Sequence, residues 1–455
     1  MKSIISSQKA LRFLAGYLLL LSISTYGQTQ DTTLRFSAKE AIEYALEHHK
    51  DVRNATLDAK ISAAQVNEII GIGLPQVNGS LDVKDFFEIP TNLVPGEFFG
   101  AEPGSFIPVK FGTQWQANAG ITASQLLFDP SYLIGVKATK TIRELADKNV
   151  TRTRIETAAN VYKAYYALLL MRERKKVIDA NVARIFKLKK DTKALYTNGF
   201  VEKIDLDRIN LAYNNMISEK ERVENFEMMT ENLLKFQMGM SVQQPIELTD
   251  SLDINKVKNL SIEGQRADVT KRIEYNILQT QVRLQEYNIK RYKVGYFPSL
   301  VAFANVSSTA QRNAFNIFDP SRRWYPTGIV GATLNIPIFD GLQKQAKIRQ
   351  SEYGLEKIRN ELSNFENAAT MQIENSKLSM EDALRSLDLQ EQNLNLAKDV
   401  VRTSKLKYDQ GVGSNLEVLD AETSLREAQT NYYNAIYEAI IAKIDFEVAM
   451  GNINY

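Results

Sequence analysis

Two stretches of the chain, 131–198 and 342–410, carry apolar residues at helical spacing and almost no helix breaker. In the second, Leu355, Ile358, Leu362, Phe365 and Ala369 step by alternating threes and fours. Ile373, Met380, Leu387, Leu394 and Val401 then recur every seven residues, flanked by Ala383 and Ala397. In the first, Ile178, Ile185, Leu188 and Leu195 keep similar spacing. Apart from Gly135 and Gly354, neither stretch has an internal glycine, and the prolines fall outside helix interiors, as their missing N–H requires. A narrow seam of this kind predicts coiled-coil-like packing. At 1.5 Å per residue each helix would be roughly 100 Å long. Four shorter helices are predicted at about 37–73, 202–238, 265–296 and 414–450. Two of these end to end match one long helix.

Before each long helix the period changes to two. Gln114, Gln116, Asn118, Gly120, Thr122 and Ser124 alternate with Trp115, Ala117, Ala119, Ile121 and Ala123. Thr327, Ile329, Gly331, Thr333 and Asn335 alternate with Gly328, Val330, Ala332, Leu334 and Ile336. Strands are predicted at about 76–89, 114–128, 299–309 and 326–338, with 90–112 and 310–325 as long loops. Each strand-to-helix join has the same form: Leu126-Leu127-Phe128-Asp129-Pro130, then Pro337-Ile338-Phe339-Asp340-Gly341. Asp129 and Asp340 suit helix N-caps, and Pro130 suits the first helical position. The chain therefore repeats, with copies at 28–239 and 265–455 and a linker at 240–264.

Composition then narrows the setting. Lys2, Lys9 and Arg12 precede a short apolar run, Phe13 to Ser24, and Gly27 ends a plausible cleavage site, so 1–27 reads as a secretory signal. The chain has no cysteine, so neither lipidation nor a disulfide framework is available. Of 56 basic residues three lie in the signal, leaving 53 against 54 acidic residues. That balance gives no footprint for nucleic acid. No later segment reaches 18 consecutive apolar residues, so a membrane-bound form would have to cross as a β-barrel. Strands apolar on one face and polar on the other fit such a barrel, and fit equally a half-buried soluble sheet. Four strands cannot close a barrel, so the membrane reading demands two, three or four chains sharing one.

Two helix turns sharpen the choice. One reads Leu195-Tyr196-Thr197-Asn198-Gly199-Phe200-Val201-Glu202-Lys203-Ile204-Asp205. The other reads Lys407-Tyr408-Asp409-Gln410-Gly411-Val412-Gly413-Ser414-Asn415-Leu416-Glu417-Val418-Leu419-Asp420. Tyr196 and Tyr408 are 212 apart, as are Gly199 and Gly411, and Gly239 and Gly451. With the Phe-Asp joins, these turns resemble the TolC family of outer-membrane efflux proteins over essentially the whole mature chain. The resemblance implies a mixed α+β membrane protein and a homotrimer. Each chain would give four strands to a shared outer-membrane β-barrel and its long helices to a periplasmic α-helical barrel. It implies a passive exit duct for efflux or type I secretion in a Gram-negative envelope. The duct would open by docking to a periplasmic membrane-fusion adaptor and an inner-membrane transporter of RND, ABC or MFS type. One departure is Ala45-Leu46-Glu47-His48-His49-Lys50, where the family often has Asn-Pro after Ala-Leu. Residues 240–264 would form a reduced equatorial belt.

The candidate residues follow from the same turns. Glu417 and Asp420, three apart, share a helical face beside the glycine turn, and by the resemblance they ring the periplasmic entrance with Asp205 and Tyr408. Ser414-x-x-Glu417 is also a capping box, which explains the acid without any pore. Gly199, Phe200, Val201, Gly411, Val412 and Gly413 are candidates for adaptor docking, or simply for turn chemistry. Phe128, Asp129, Pro130, Phe339, Asp340 and Gly341 mark the barrel-to-helix junction.

Other clusters carry less. His48 and His49 are adjacent on a predicted helix and cannot form an i, i+4 metal pair. Met228, Met229, Met238 and Met240 read as core packing at a helix end. Arg172-Glu173-Arg174-Lys175-Lys176 reads as a solvated face. No cofactor motif, metal signature or nucleophile–base pair points to an enzyme. The competing reading is a periplasmic coiled-coil scaffold whose strands form a small sheet.

Overall fold

The structure is a computed structural model that describes residues 33–252, 258 and 268–453. The expected signal and much of 240–264 lie outside the described residues. In chain order the elements are β1 (Leu34–Phe36), α1 (Ala38–His48), α2 (Lys50–Gly71), β2 (Gln76–Asp85), β3 (Thr91–Pro95), β4 (Phe106–Lys110), β5 (Trp115–Phe128), α3 (Pro130–Thr197), α4 (Lys203–Met238), β6 (Ile246–Leu248), α5 (Ile273–Val294), β7 (Ser299–Arg312), β8 (Tyr325–Asn335), α6 (Gln343–Asp409) and α7 (Asn415–Ala449). They fall into two compact units, one of residues up to 45 with 164–253, the other of 46–163 with 254–455. Helix α3 runs through both, so the units cut across the sequence repeats.

The larger unit holds an antiparallel sheet in the order β2-β5-β7-β8. Its helices pack through the predicted seam: Ile373, Met380, Leu387, Leu394 and Val401 of α6 are all buried, as are Val418, Leu425, Ile436 and Ile440 of α7. Ile373 meets Phe446, Ala449 and Met450. In the smaller unit β1 pairs in parallel with β6, Leu34 opposite Ile246, Arg35 opposite Glu247 and Phe36 opposite Leu248. Every pair is 212 residues apart, so the two strands are repeat equivalents paired in register. Arg35 also bridges Glu247 at 2.8 Å. The Tyr165 hydroxyl donates to the Phe36 carbonyl at 3.0 Å. Burial pushes that phenol well above its ordinary range, which keeps it neutral.

Several predicted boundaries change. The helix expected at 37–73 breaks at His49, which is extended (φ −62°, ψ 135°) and whose Nδ1 accepts from Asp51 N at 3.3 Å. The imidazole thus caps α2. The helix expected at 265–296 narrows to α5, preceded by a short 3₁₀ turn at Val269–Lys271. The expected strand 76–89 stops at Asp85, whereas 299–309 extends to Arg312. The segment 90–112, read as loop, contains the β3–β4 hairpin, with Thr91 opposite Lys110 and Pro95 opposite Phe106.

The basic run in α3 is not a solvated face. Arg172 reaches Glu227 at 3.6 Å and Glu231 at 3.4 Å, Lys175 reaches Glu227 at 2.9 Å, and Arg174 reaches Glu219 at 3.2 Å. These groups line the contact of α3 with α4 as a charge ladder. Its hydrogen bond to Glu227 holds the Lys175 ammonium above the usual lysine range. A raised lysine contributes stability that is complete below its unfolded pKa and disappears as pH rises through the folded value. Glu227→Gln is therefore expected to cost about 1 kcal/mol, equally at pH 6 and pH 8, with only the Lys175 share of that cost lost in strong alkali, since Arg172 stays charged. Circular-dichroism melts across pH check this. The methionines also depart from expectation: Met238 is buried, but Met228 and Met229 are about 60% exposed.

Candidate functional site

The two helix turns are built alike. In each the helix ends on a glycine in the left-handed region, Gly199 (φ 75°) and Gly411 (φ 73°). The next residue's N–H bonds back five residues, Phe200 to the Leu195 carbonyl at 2.9 Å and Val412 to the Lys407 carbonyl at 3.0 Å. This is the Schellman arrangement, and it requires a residue without a Cβ penalty at positive φ. A Cβ at Gly413 would lie 3.0 Å from both Lys407 Cβ and Tyr408 N, so a side chain there would force a small local shift. The turns project Phe200 and Val412, each nearly 80% exposed.

The returning helices differ in their first turns. Ser414 caps α7, its hydroxyl accepting from Glu417 N at 3.2 Å. Glu202, at the equivalent place before α4, makes no side-chain cap. Val418, Ala421 and Leu425 bury the inner face of α7, which leaves Glu417 and Asp420 exposed on another face. The repeat offset makes Asp205 the counterpart of Glu417 and Arg208 the counterpart of Asp420. Asp205 lies 3.8 Å from Arg208 along α4. One turn thus carries an acid with its own base, and the other carries two acids. Glu427, exposed and seven residues beyond Asp420, extends the acidic face. Its heptad spacing from Asp420 is the sequence signal for it. Tyr408 is half-buried near the end of α6.

At the other end of the long helices the two joins diverge. Asp129 Oδ1 accepts from Tyr132 N at 2.9 Å, so α3 starts directly at Pro130 with Asp129 as its cap. Asp340 is not the immediate N-cap expected of it. Gly341 (φ 64°) and Leu342 (φ 66°) are both left-handed, and α6 begins only at Gln343. Asp340 Oδ2 reaches further, accepting from Lys344 N at 3.1 Å. The cause is the residue after the aspartate: proline at 130 holds a helical φ, whereas glycine at 341 allows the reversal. Phe128 and Phe339 are 47% and 80% exposed beside these joins.

The sheet between the joins has two chemically distinct faces. Register places Val77, Leu81 and Val83 of β2 on one face with Ala117, Ala119 and Ile121 of β5, Ala304 and Val306 of β7, and Val330 and Leu334 of β8. The opposite face carries Asn78, Ser80 and Asp82, then Gln116, Asn118 and Thr122, then Asn305 and Thr309, then Thr327 and Thr333. Asn305 Nδ2 donates to Thr122 Oγ1 at 2.7 Å and Thr309 Oγ1 to Asn118 Oδ1 at 3.3 Å, linking the polar face across strands. The apolar face is open: Val77, Leu81, Ile121, Val306 and Val330 are 58–86% exposed. Edge strands β2 and β8 each pair on one side only.

Among the described residues no cluster of His, Cys, Asp or Glu could hold a metal, and no helix is long and apolar enough to cross a membrane.

Residues 277–452 match the family model described as outer membrane efflux protein. The chain is 21% identical over 344 residues to the outer membrane protein TolC of Vibrio cholerae, covering 74% of this chain and 77% of that one. It is 20% identical to the proteases secretion protein PrtF of Dickeya chrysanthemi, covering 73% and 72% respectively. Its fold matches a crystal structure of CusC with a TM-score of 0.74 at 16% identity, covering 94% of this chain and 95% of that one.

Proposed function

We propose that this chain belongs to the outer membrane efflux protein family and is the outer-membrane exit duct of a tripartite efflux or type I secretion system. The observation that carries the reading is the two-faced sheet with both edges open, feeding helices of 68 and 67 residues. An apolar face that wide favours lipid, and lipid tolerates no open strand edge. The edges of β2 and β8 are satisfied if one copy's β2 pairs with the next copy's β8. Three chains then give a twelve-stranded barrel with Asn118, Thr122 and Asn305 lining a wet interior.

The helices support the same assembly. On α6, Met371, Leu378, Leu389 and Leu396 are 57–64% exposed on the face opposite the buried seam. On α4, Phe226, Met229, Leu233 and Phe236 are exposed at steps of three and four. Apolar stripes at this spacing suit helices of neighbouring copies in a periplasmic tunnel. The tip turns, Gly199 to Val201 and Gly411 to Gly413, would meet a periplasmic adaptor that connects to an inner-membrane transporter. Glu417 and Asp420, with Asp205 and Tyr408 nearby in sequence to the turns, would line the entrance. The chain would reach the outer membrane by a signal cleaved near Gly27, and its two repeats would each supply two strands and a helical hairpin.

Purified in detergent, the protein is expected to run on gels as a heat-sensitive trimer and to insert into planar bilayers with stepwise conductance. A detergent-independent monomer with no conductance would instead favour the scaffold reading.

A further inference from the structure

The segment 313–324, between β7 and β8, does not arch freely beyond the sheet. Ile317 is 1% exposed because it lies on Ala117 and Ala310, which are fully buried beneath it. Both alanines belong to the apolar face, on the two central strands. Trp115 and Trp324 flank the same contact. Phe315 packs edge-on against Trp115 with centroids 4.7 Å apart, and Phe318 packs edge-on against Phe315. The outward sides of Phe315 and Phe318 stay 61% and 68% exposed.

Some of the segment's polar groups are satisfied locally. Arg312 Nη2 donates to the Arg323 carbonyl at 2.9 Å. Asp319 Oδ1 accepts from Ser321 N at 3.0 Å and from Ser321 Oγ at 2.6 Å. Asp319 N and Arg322 N find carbonyls within the segment, at Asn316 and Asp319. Outward aromatic rings beside a turn-rich, partly polar segment are what the headgroup side of the hydrocarbon boundary favours.

We infer that residues 313–324 form an aromatic flap folded down the outside of the barrel wall into the lipid interface, rather than a lid over the outer mouth. The inference rests on the barrel reading above. Lipid is the occupant because the flap continues the sheet's own apolar face. A neighbouring copy joining at β2 or β8 meets the edges, whereas Ile317 and Phe315 lie over β5 and β7. The outer mouth is then left uncovered by this segment, and control of passage falls to the helical turns.

The absence of cysteine makes the test direct. Single variants Phe315→Cys, Phe318→Cys, Val330→Cys and Phe200→Cys are labelled with a nitroxide in proteoliposomes. Collisions with oxygen, which partitions into lipid, are compared with those of a water-soluble nickel chelate. Phe318→Cys and Phe315→Cys are expected to favour oxygen, at shallower depth than Val330→Cys, while Phe200→Cys favours nickel. Nickel-favouring collisions at 315 and 318 would place the flap in water and overturn the inference. Low collision with both reagents would mean protein covers it, which overturns it too. If Val330→Cys also favours nickel, the barrel reading itself fails; if only the flap sites do, the barrel stands. Phe318→Cys leaves the contact of Phe315 with Trp115 in place, so it reads the flap without loosening it there.

Discussion

Replacing Val330 with arginine is expected to prevent assembly of the channel. Val330 sits at the middle of β8, 86% exposed on the apolar face of the sheet. Near a bilayer midplane an arginine on the lipid side of a barrel costs about 2–4 kcal/mol. A homotrimer carries the substitution three times, so the cost to the assembled channel is about 6–12 kcal/mol. The heat-sensitive trimer should disappear from outer-membrane fractions, and no conductance should be recovered. Thr333→Arg, three residues on and facing the other way, points into the wet interior and should assemble normally with altered ion selectivity. The pair separates lipid from a soluble sheet. In water, Val330→Arg on an exposed strand would change stability by only a few tenths of a kcal/mol. Normal assembly of Val330→Arg would rule out the barrel orientation proposed for this sheet.

The second large effect concerns the entrance. Glu417→Gln with Asp420→Asn removes six charges from a trimer while keeping side-chain shape. Loss of the anion-repelling ring should reduce cation preference markedly and raise anion flux. The difference from wild type should shrink at 1 M salt, where the screening length falls to about 3 Å. Glutamine can serve in a capping box as glutamate does, so thermal stability should hold. Ser414→Ala is the complement, costing about 1 kcal/mol through the lost cap with selectivity unchanged. Reversal potentials in salt gradients, measured beside melting curves, read both. Unchanged selectivity in the double variant would reduce these acids to helix capping.

Much of this architecture could be read from the chain because it depends on local periodicity. The heptad Ile373 to Val401 is buried as its spacing required, and Gly199 and Gly411 take the left-handed turns their neighbours implied. The alternation in 114–124 and 327–336 specified two faces of opposite character. Features depending on a distant partner were not legible. Strands β1 and β6 are three residues each, too short to show a period, and exist because each supplies the other's hydrogen bonds. Arg172 and Lys175 looked solvated because their glutamates lie more than fifty residues away on α4. Met228 and Met229 were assigned inward from residue type, but helix phase turns them out. His49 was read as part of a helix because an imidazole acting as an N-cap has no strong sequence signature.

The sequence alone therefore determined the repeat, through motifs 212 residues apart, and the long helices, the turn glycines and the two faces of 114–124 and 327–336, which follow from spacing within about a dozen residues. Tertiary structure alone decided that Arg172, Arg174 and Lys175 pair with glutamates of α4. It also decided that Ile317 folds onto Ala117 and Ala310. Those outcomes depend on which side chains meet across the chain, and no periodicity encodes them.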